Sequence, residues 1–84
     1  MTPAELNAAL SKILSMEEVD AVDWEMVQDM SIVLLSELRS AEAEGLDYPS
    51  ELVIPFLTDF HLRQQSVEES IRQRSMVVAY LRSA

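Results

Sequence analysis

An all-α fold is the prediction for this chain of 84 residues, and three observations lead to it. Apolar residues recur at helical spacing along most of the sequence. The chain contains one Gly and three Pro, and so few helix-breaking residues favour helices over turn-rich β structure. Capping signals stand where helices should begin and end. We therefore expect a single domain over residues 1–84, a small bundle of three helices with antiparallel up-down packing.

The first helix is predicted to begin with a capping box. Thr2 is the expected N-cap, Pro3 suits the first turn, and Glu5 can bond back to the cap. The apolar residues that follow are spaced for one helix face: Leu6, Ala9, Leu10, Ile13 and Leu14. This pattern fades near Met16, so we expect an acidic connector from there to the next helix.

The second helix is predicted from about Trp24 to about Ala43. Asp20 or Asp23 can cap its start, and Gly45 stands where a left-handed stop is expected. Its apolar residues spread over about 200° of the helix circumference, whereas an ordinary surface helix needs a stripe of about 100°. We therefore expect this helix at the centre of the fold, in contact with elements on two sides.

The C-terminal segment allows two interpretations. From Pro55 to about Arg82 the apolar residues keep one helical phase, which favours a single long helix of about 27 residues and about 40 Å opened by Pro55. Its main apolar face would consist of Phe56, Phe60, Val67, Ile71, Val78 and Leu81. Ser66 and Glu69 form a possible second capping box, which would divide the segment and give four helices. We favour the long helix, and we expect a second copy of the chain to cover its overhanging part.

Charge is unevenly distributed along the chain. The net charge is −9, yet four of the six basic residues lie beyond residue 59: Arg63, Arg72, Arg74 and Arg82. The acidic remainder would repel phosphate backbones, so direct binding of nucleic acid is not expected. We expect these arginines to pair with acidic residues, within one chain or between two.

No catalytic or metal-binding motif is recognisable. The chain has one His, His61, and no Cys, so the sequence offers neither a nucleophile–base pair nor a thiolate metal site. The acidic run after the first helix lacks the central Gly that a calcium loop needs. We predict no enzymatic activity, no metal, no cofactor and no small-molecule substrate.

The sequence also favours a cytoplasmic location. No apolar run approaches the roughly 20 residues of a membrane-spanning helix. The first residues lack the basic region and apolar stretch of a secretory signal.

Two groups of residues are candidates for binding a partner protein. The first is an acidic cluster: Glu17, Glu18, Asp20 and Asp23. The second is a strip of the last helix that lies away from its main apolar face: Leu62, Met76, Val77 and Tyr80. The alternative for this strip is that the first helix buries it. Met26 and Met30, one turn apart, fit either the core, which we favour, or an adaptable binding groove.

The leading functional interpretation is therefore a non-enzymatic protein–protein interaction module. We expect a homodimer that serves as a small regulator, a chaperone-like protein or a subunit of a complex. The alternative is an acidic nucleic-acid mimic that inhibits a DNA- or RNA-binding protein by occupying its basic groove.

Overall fold

Helices account for most of residues 1–83, which are the residues that the computed structural model describes. Their order is α1 (Pro3–Glu17), α2 (Trp24–Ala43), α3 (Ser50–Thr58), α4 (Phe60–Gln65) and α5 (Val67–Ser83). No strand occurs among these residues, so the prediction of an all-α fold is confirmed. The antiparallel up-down order of the helices stays a prediction.

α1 begins at the predicted capping box. The Glu5 backbone N–H donates to the Thr2 hydroxyl at 3.1 Å, and the Thr2 backbone N–H donates to the Glu5 carboxylate at 3.0 Å. The bond from the Thr2 backbone N–H is the main reason that the pKa of the Glu5 carboxyl is lowered from its ordinary value. The buried face of α1 contains the predicted leucines and isoleucine and one acidic residue: Leu6, Leu10, Ile13, Leu14 and Glu17.

α2 contacts α1, α3 and α4. Of the two candidate caps, Asp23 is the one used, and its carboxylate accepts a hydrogen bond from the Met26 backbone N–H at 3.1 Å. The buried residues form a narrower stripe than the apolar arc: Val27, Ser31, Leu34, Leu38 and Ala41. Part of the apolar arc of α2 is therefore left at the surface.

The end of α2 is a left-handed stop at Gly45, as predicted. Gly45 has a φ of 96°, and its N–H donates to the Glu42 carbonyl at 3.0 Å. The Leu46 N–H donates to the Ala41 carbonyl at 2.9 Å, which completes a Schellman motif. The Tyr48 hydroxyl then hydrogen-bonds the carboxylate of Glu42, so the loop to α3 is tied back to the last turn of α2.

The predicted long C-terminal helix is wrong, because the chain forms α3, α4 and α5 instead. The second break lies where the alternative interpretation places it. Ser66 is extended there, with φ −132° and ψ 117°, and its hydroxyl accepts a hydrogen bond from the Glu69 backbone N–H at 3.2 Å. The local cap at Ser66 therefore outweighs the continuous apolar phase of the sequence.

Pro55 lies inside α3 and does not open a helix. Proline lacks an N–H group and crowds the preceding turn, so an internal Pro carries a cost. Burial of Val53, Phe56 and Leu57 on the same short helix offsets this cost, since all three are almost fully enclosed. α3 then ends three residues later at Thr58, and Asp59 separates it from α4.

The core lies between α1, α2, α3 and α5. Its apolar residues are Leu6, Leu10, Ile13, Leu14, Val27, Leu34, Leu38, Val53, Phe56, Leu57 and Val77. The radius of gyration of 12.3 Å is close to the roughly 12 Å expected for a folded chain of this length. Since the C-terminal segment is divided at its breaks, no helix within residues 1–83 is 40 Å long, and a second copy is not needed to cover one.

None of the helices in residues 1–83 has both the length and the apolar character that crossing a bilayer requires.

Candidate interaction surfaces

A buried polar network joins the end of α1 to α3, α4 and α5. Arg63 on α4 donates from Nε and Nη2 to the two carboxylate oxygens of Glu17, at 2.8 and 3.0 Å. Its Nη1 donates to the Phe56 carbonyl at 2.5 Å and to Gln73 Oε1 at 2.7 Å. The guanidinium carbon also lies 4.1 Å from the centre of the Phe56 ring. Four helices therefore meet at the side chain of Arg63.

The network is closed to solvent and to ligands. The side chains of Arg63 and Glu17 are 0% and 1% exposed. A buried ion pair is tolerated when hydrogen bonds satisfy both charged groups, and here both carboxylate oxygens and all three guanidinium nitrogens are bonded. Glu17, which we expected on a partner-binding surface, is therefore a structural residue, because its charge is already used inside the chain.

α5 turns a different face to the core from the one that the sequence predicts. Its buried residues are Gln73 and Val77, and Val77 is completely enclosed. Val77 belongs to the strip that the sequence predicts to lie away from the main apolar face, so part of that strip is buried. Because the chain is extended at Ser66, α5 does not continue the axis of α4. The hydrogen bond from Arg63 keeps the side chain of Gln73 directed into the core. Val77 is therefore a core residue and is not available on an exposed strip.

The other residues of the predicted strip have different environments. Leu62 and Met76 are exposed, on α4 and α5 respectively. Tyr80 is half-buried and packs against the core. A substitution of Tyr80 would therefore disturb the fold as well as a contact, so it is a poor probe of binding.

The main apolar face that the sequence predicts for the last helix is exposed at the start of α5. Val67 and Ile71 are 76% and 55% exposed, although the sequence places them on the main apolar face of the helix. With their neighbours on this face they form what we call the α5 strip: Val67, Ile71, Arg74, Val78 and Arg82. Arg74 and Val78 are half-buried, and Val78 also packs against the core. A shallow groove of about 360 Å³ runs along most of it, with Glu18 at the edge. The strip combines apolar side chains with two positive charges.

The two arginines of the α5 strip are not neutralised by the rest of the described chain. Arg74 donates from Nε to the Ser70 hydroxyl and carbonyl at 3.0 and 3.2 Å. Neither Arg74 nor Arg82 forms an ion pair with any group in residues 1–83. By contrast, Arg63 pairs with Glu17, as the sequence predicts for these arginines, and Arg72 pairs with Glu69 at 2.7 Å.

A second apolar depression lies between α1 and α2, and we call it the α1–α2 groove. Its volume is about 290 Å³, and its lining residues are Ala9, Asp29, Met30, Val33, Leu34 and Glu37. Val33 is 57% exposed and Met30 half-buried. Asp29 and Glu37 supply negative charge and make no side-chain hydrogen bond or ion pair within the described part of the chain. Met26, one turn before Met30, is also exposed, so the favoured core assignment is wrong for Met26.

The acidic cluster is largely at the surface. Glu18, Asp20 and Asp23 are exposed, in the connector between α1 and α2 and at its end. Asp23 also caps α2, so its carboxylate has a structural task. Glu18 and Asp20 are the members of the cluster that a partner could reach without disturbing the fold.

Sequence reasoning missed the burial of four polar residues: Glu17, Ser31, Arg63 and Gln73. A signal for two of them exists in the spacing. Arg63 follows Phe56 and Phe60 at helical intervals, and Ser31 falls between Val27 and Leu34 in the same way. A polar residue at the helical spacing of the buried apolar residues is expected to be buried too. It then either forms a buried hydrogen bond or is left without a partner. Here Arg63 is the first case and Ser31 the second.

His61 lies on the exposed side of α4, and its ring packs edge-on against Phe60 with the ring centres 5.0 Å apart. In the described part of the chain, no three His, Asp or Glu side chains come close enough to share a metal ion.

Comparison with known proteins identifies no relative of the chain. No protein-family model matches it, and neither a curated protein nor a solved structure matches it.

Proposed function

We propose that this chain is a non-enzymatic protein–protein interaction module that works as a homodimer. The observation that supports this proposal is the grouping of exposed apolar side chains beside unpaired charges, on the α5 strip and in the α1–α2 groove. Single exposed apolar residues are ordinary on a protein surface, whereas grouped ones with a charged rim are typical of binding surfaces.

The shape of the two surfaces suits a protein partner better than a small molecule. Both depressions are open and shallow, and small-molecule sites are usually enclosed pockets that bury most of the ligand. A helix of a partner protein fits a shallow apolar groove better than a small molecule does. We therefore propose a role as a small regulator, a chaperone-like protein or a subunit of a complex, in which the bundle presents these surfaces.

The experiment for the homodimer is light scattering coupled to size-exclusion chromatography over a wide range of protein concentrations. We expect the measured mass to rise towards twice the chain mass of 9.5 kDa as concentration increases. A mass of 9.5 kDa at every concentration contradicts the homodimer.

The absence of catalysis is the second part of the proposal. His61 is the side chain with the most suitable chemistry for acid–base catalysis, and it lies on an open helix surface beside Phe60. We expect His61→Ala to leave self-association and partner binding unchanged. A loss of function in a folded His61→Ala variant would favour an enzyme.

An acidic nucleic-acid mimic is the alternative function, and one observation favours it. The exposed acids of the connector, Glu18, Asp20 and Asp23, continue along α2 with Glu25 and Asp29. Such a row of charges could occupy the basic groove of a DNA- or RNA-binding protein. The mimic requires that a purified basic DNA-binding protein bind the chain and that salt release it. Binding that persists at high salt, or no binding, contradicts the mimic.

A further inference from the structure

We propose that the partner of the α5 strip is the α1–α2 groove of a second copy of the chain. This inference deepens the proposed homodimer and rests on it, because it assigns the surfaces through which two copies meet. Each surface is exposed, and each carries apolar side chains together with charges of one predominant sign.

Charge is the first argument for this pairing. The α5 strip carries Arg74 and Arg82, and the α1–α2 groove carries Asp29 and Glu37. None of the four forms an ion pair inside the described part of the chain. Charged groups at an interface are generally arranged so that opposite signs meet. A second copy supplies, for each surface, the charges that the surface lacks.

Spacing is the second argument. Arg74 and Arg82 are eight residues apart on α5, and Asp29 and Glu37 are eight residues apart on α2. At a rise of 1.5 Å per residue, both pairs span about 12 Å along their helix axes. Two helices that lie side by side can therefore bring both opposite-charge pairs together in one register.

Apolar side chains lie beside the charges on both surfaces. Ile71 and the half-buried Val78 lie seven residues apart on the α5 strip, and Met30 and Val33 line the α1–α2 groove. Seven residues are close to two helical turns, so Ile71 and Val78 form a ridge on one face of α5. The α1–α2 groove is open, and α5 can lie along it with this ridge directed inward.

Net charge explains why the pairing is selective. Two copies of a chain with a net charge of −9 repel each other in most orientations. Contact of the basic strip with the acidic groove is the orientation in which the local charges attract. The proposed dimer has two-fold symmetry, so this contact occurs twice in it, once for the α5 strip of each copy.

The test is a pair of charge-reversal variants that are measured alone and mixed. One variant carries Arg74→Glu and Arg82→Glu, and the other carries Asp29→Arg and Glu37→Arg. In either variant alone, like charges face each other, and we expect the dissociation constant of the dimer to rise by about tenfold or more. In an equal mixture, each reversed surface meets its opposite on the other variant. We therefore expect the mixture to associate about as tightly as the wild type.

Arg39→Glu is the matched control, because it also replaces an exposed arginine with an acid but lies on the other flank of α2. We expect it to leave the dissociation constant unchanged. Circular dichroism shows whether each variant is folded. The smaller changes Arg82→Glu and Glu37→Arg, alone and mixed, serve where a double variant fails to fold, and smaller effects in the same directions are expected.

Wild-type association that neither reversal weakens, or a mixture that stays monomeric, overturns the assignment of these surfaces and leaves the homodimer standing. A wild-type chain that is monomeric at all concentrations removes the homodimer itself. Failure of the surface assignment is thus distinguishable from failure of the proposed function.

Discussion

Ser31 lies in the buried stripe of α2 between Val27 and Leu34 and is completely enclosed. Its hydroxyl has no hydrogen-bond partner among residues 1–83. A buried polar group without a partner loses its bonds to water and gains nothing in return. The sequence places Ser31 at a core interval, but spacing alone does not reveal whether a partner is present.

Ser31→Ala is therefore expected to stabilise the fold. We expect the free energy of unfolding to increase by about 1 kcal/mol, because alanine removes the unpaired hydroxyl and has the higher helix propensity. Denaturation by urea measures the change. Ser36→Ala is the control, since it makes the same substitution at an exposed position of α2 and changes only the helix propensity. An equal increase in the free energy of unfolding in both variants would show that the buried hydroxyl does not destabilise the fold.

Tyr48 is expected to make the stability of the fold depend on pH in the alkaline range. Partial burial is the main reason that the pKa of Tyr48 is raised from 10.0 to about 12, and the hydrogen bond to Glu42 is the second reason. The protonated phenol is therefore favoured in the folded chain. Its contribution to stability is complete below pH 10 and is lost as pH rises from about 10 to about 12.

Tyr48→Phe removes this contribution. We expect the variant to lose about 1 kcal/mol of stability or less at neutral pH, and the stability difference from wild type to shrink between pH 10 and pH 12. Urea denaturation at several pH values measures both effects. Absorbance titration of the phenols supplies the check, since the tyrosine that ionises at the highest pH should be missing from the variant. A difference that is constant with pH contradicts this account.

Helix boundaries divide into those that the sequence predicts and those that it does not. The starts of α1 and α2 and the end of α2 depend on residues within a few positions of the boundary: Thr2, Glu5, Asp23 and Gly45. Such signals are local, so they can be read without the fold. The division of the last segment depends in addition on contacts with distant parts of the chain.

α4 is the clearest case of an element fixed by tertiary structure. It is six residues long, and an isolated helix of this length is not stable in water. The buried bonds of Arg63 hold it against α1, α3 and α5. The same bonds turn Gln73 inward, and this decides which face of α5 is exposed. For this reason one residue of the predicted strip, Val77, is buried, whereas Val67 and Ile71 of the predicted core face are exposed.

The ion pair between Glu17 and Arg63 is therefore expected to be critical for the packing of these helices. We expect Arg63→Met to destabilise the fold by about 3–5 kcal/mol, because it leaves the buried Glu17 carboxylate without its partner. The double variant with Glu17→Met and Arg63→Met should be more stable than Arg63→Met alone, since it leaves no unpaired charge.

Urea denaturation of the single and double variants measures the coupling between the two residues. Arg72→Met is the matched control, because Arg72 forms an exposed ion pair with Glu69, and such pairs contribute about 0–1 kcal/mol. If Arg63→Met costs no more than Arg72→Met, the buried network does not hold α4 in place.

At the scale of the whole molecule, the separation of acidic and basic residues along the sequence becomes a separation of surfaces. Arg63 is buried in its ion pair with Glu17, whereas Arg74 and Arg82 lie on the α5 strip. The acids of α2 remain beside its uncovered apolar residues. The sequence predicts the charge asymmetry and the excess of apolar surface. It does not predict their positions, because these depend on the breaks at Asp59 and Ser66.

Fold-back of the C-terminal segment also changes the reason for expecting a second copy. A single long helix would need a partner to cover its projecting end, and the described residues 1–83 form no such helix. The homodimer is now proposed because one chain carries two exposed surfaces of opposite charge and similar spacing. Association of this kind weakens as salt screens the charges, whereas association through apolar contacts alone does not.

Sedimentation equilibrium of the wild-type chain at low and at high salt is the most direct measurement of the central claim, that the chain binds a copy of itself through oppositely charged surfaces. We predict an average mass that approaches twice 9.5 kDa with rising concentration at low salt, and a shift of this transition to higher concentration when salt is added. A mass of 9.5 kDa throughout, or a dimer that salt does not weaken, would contradict the account.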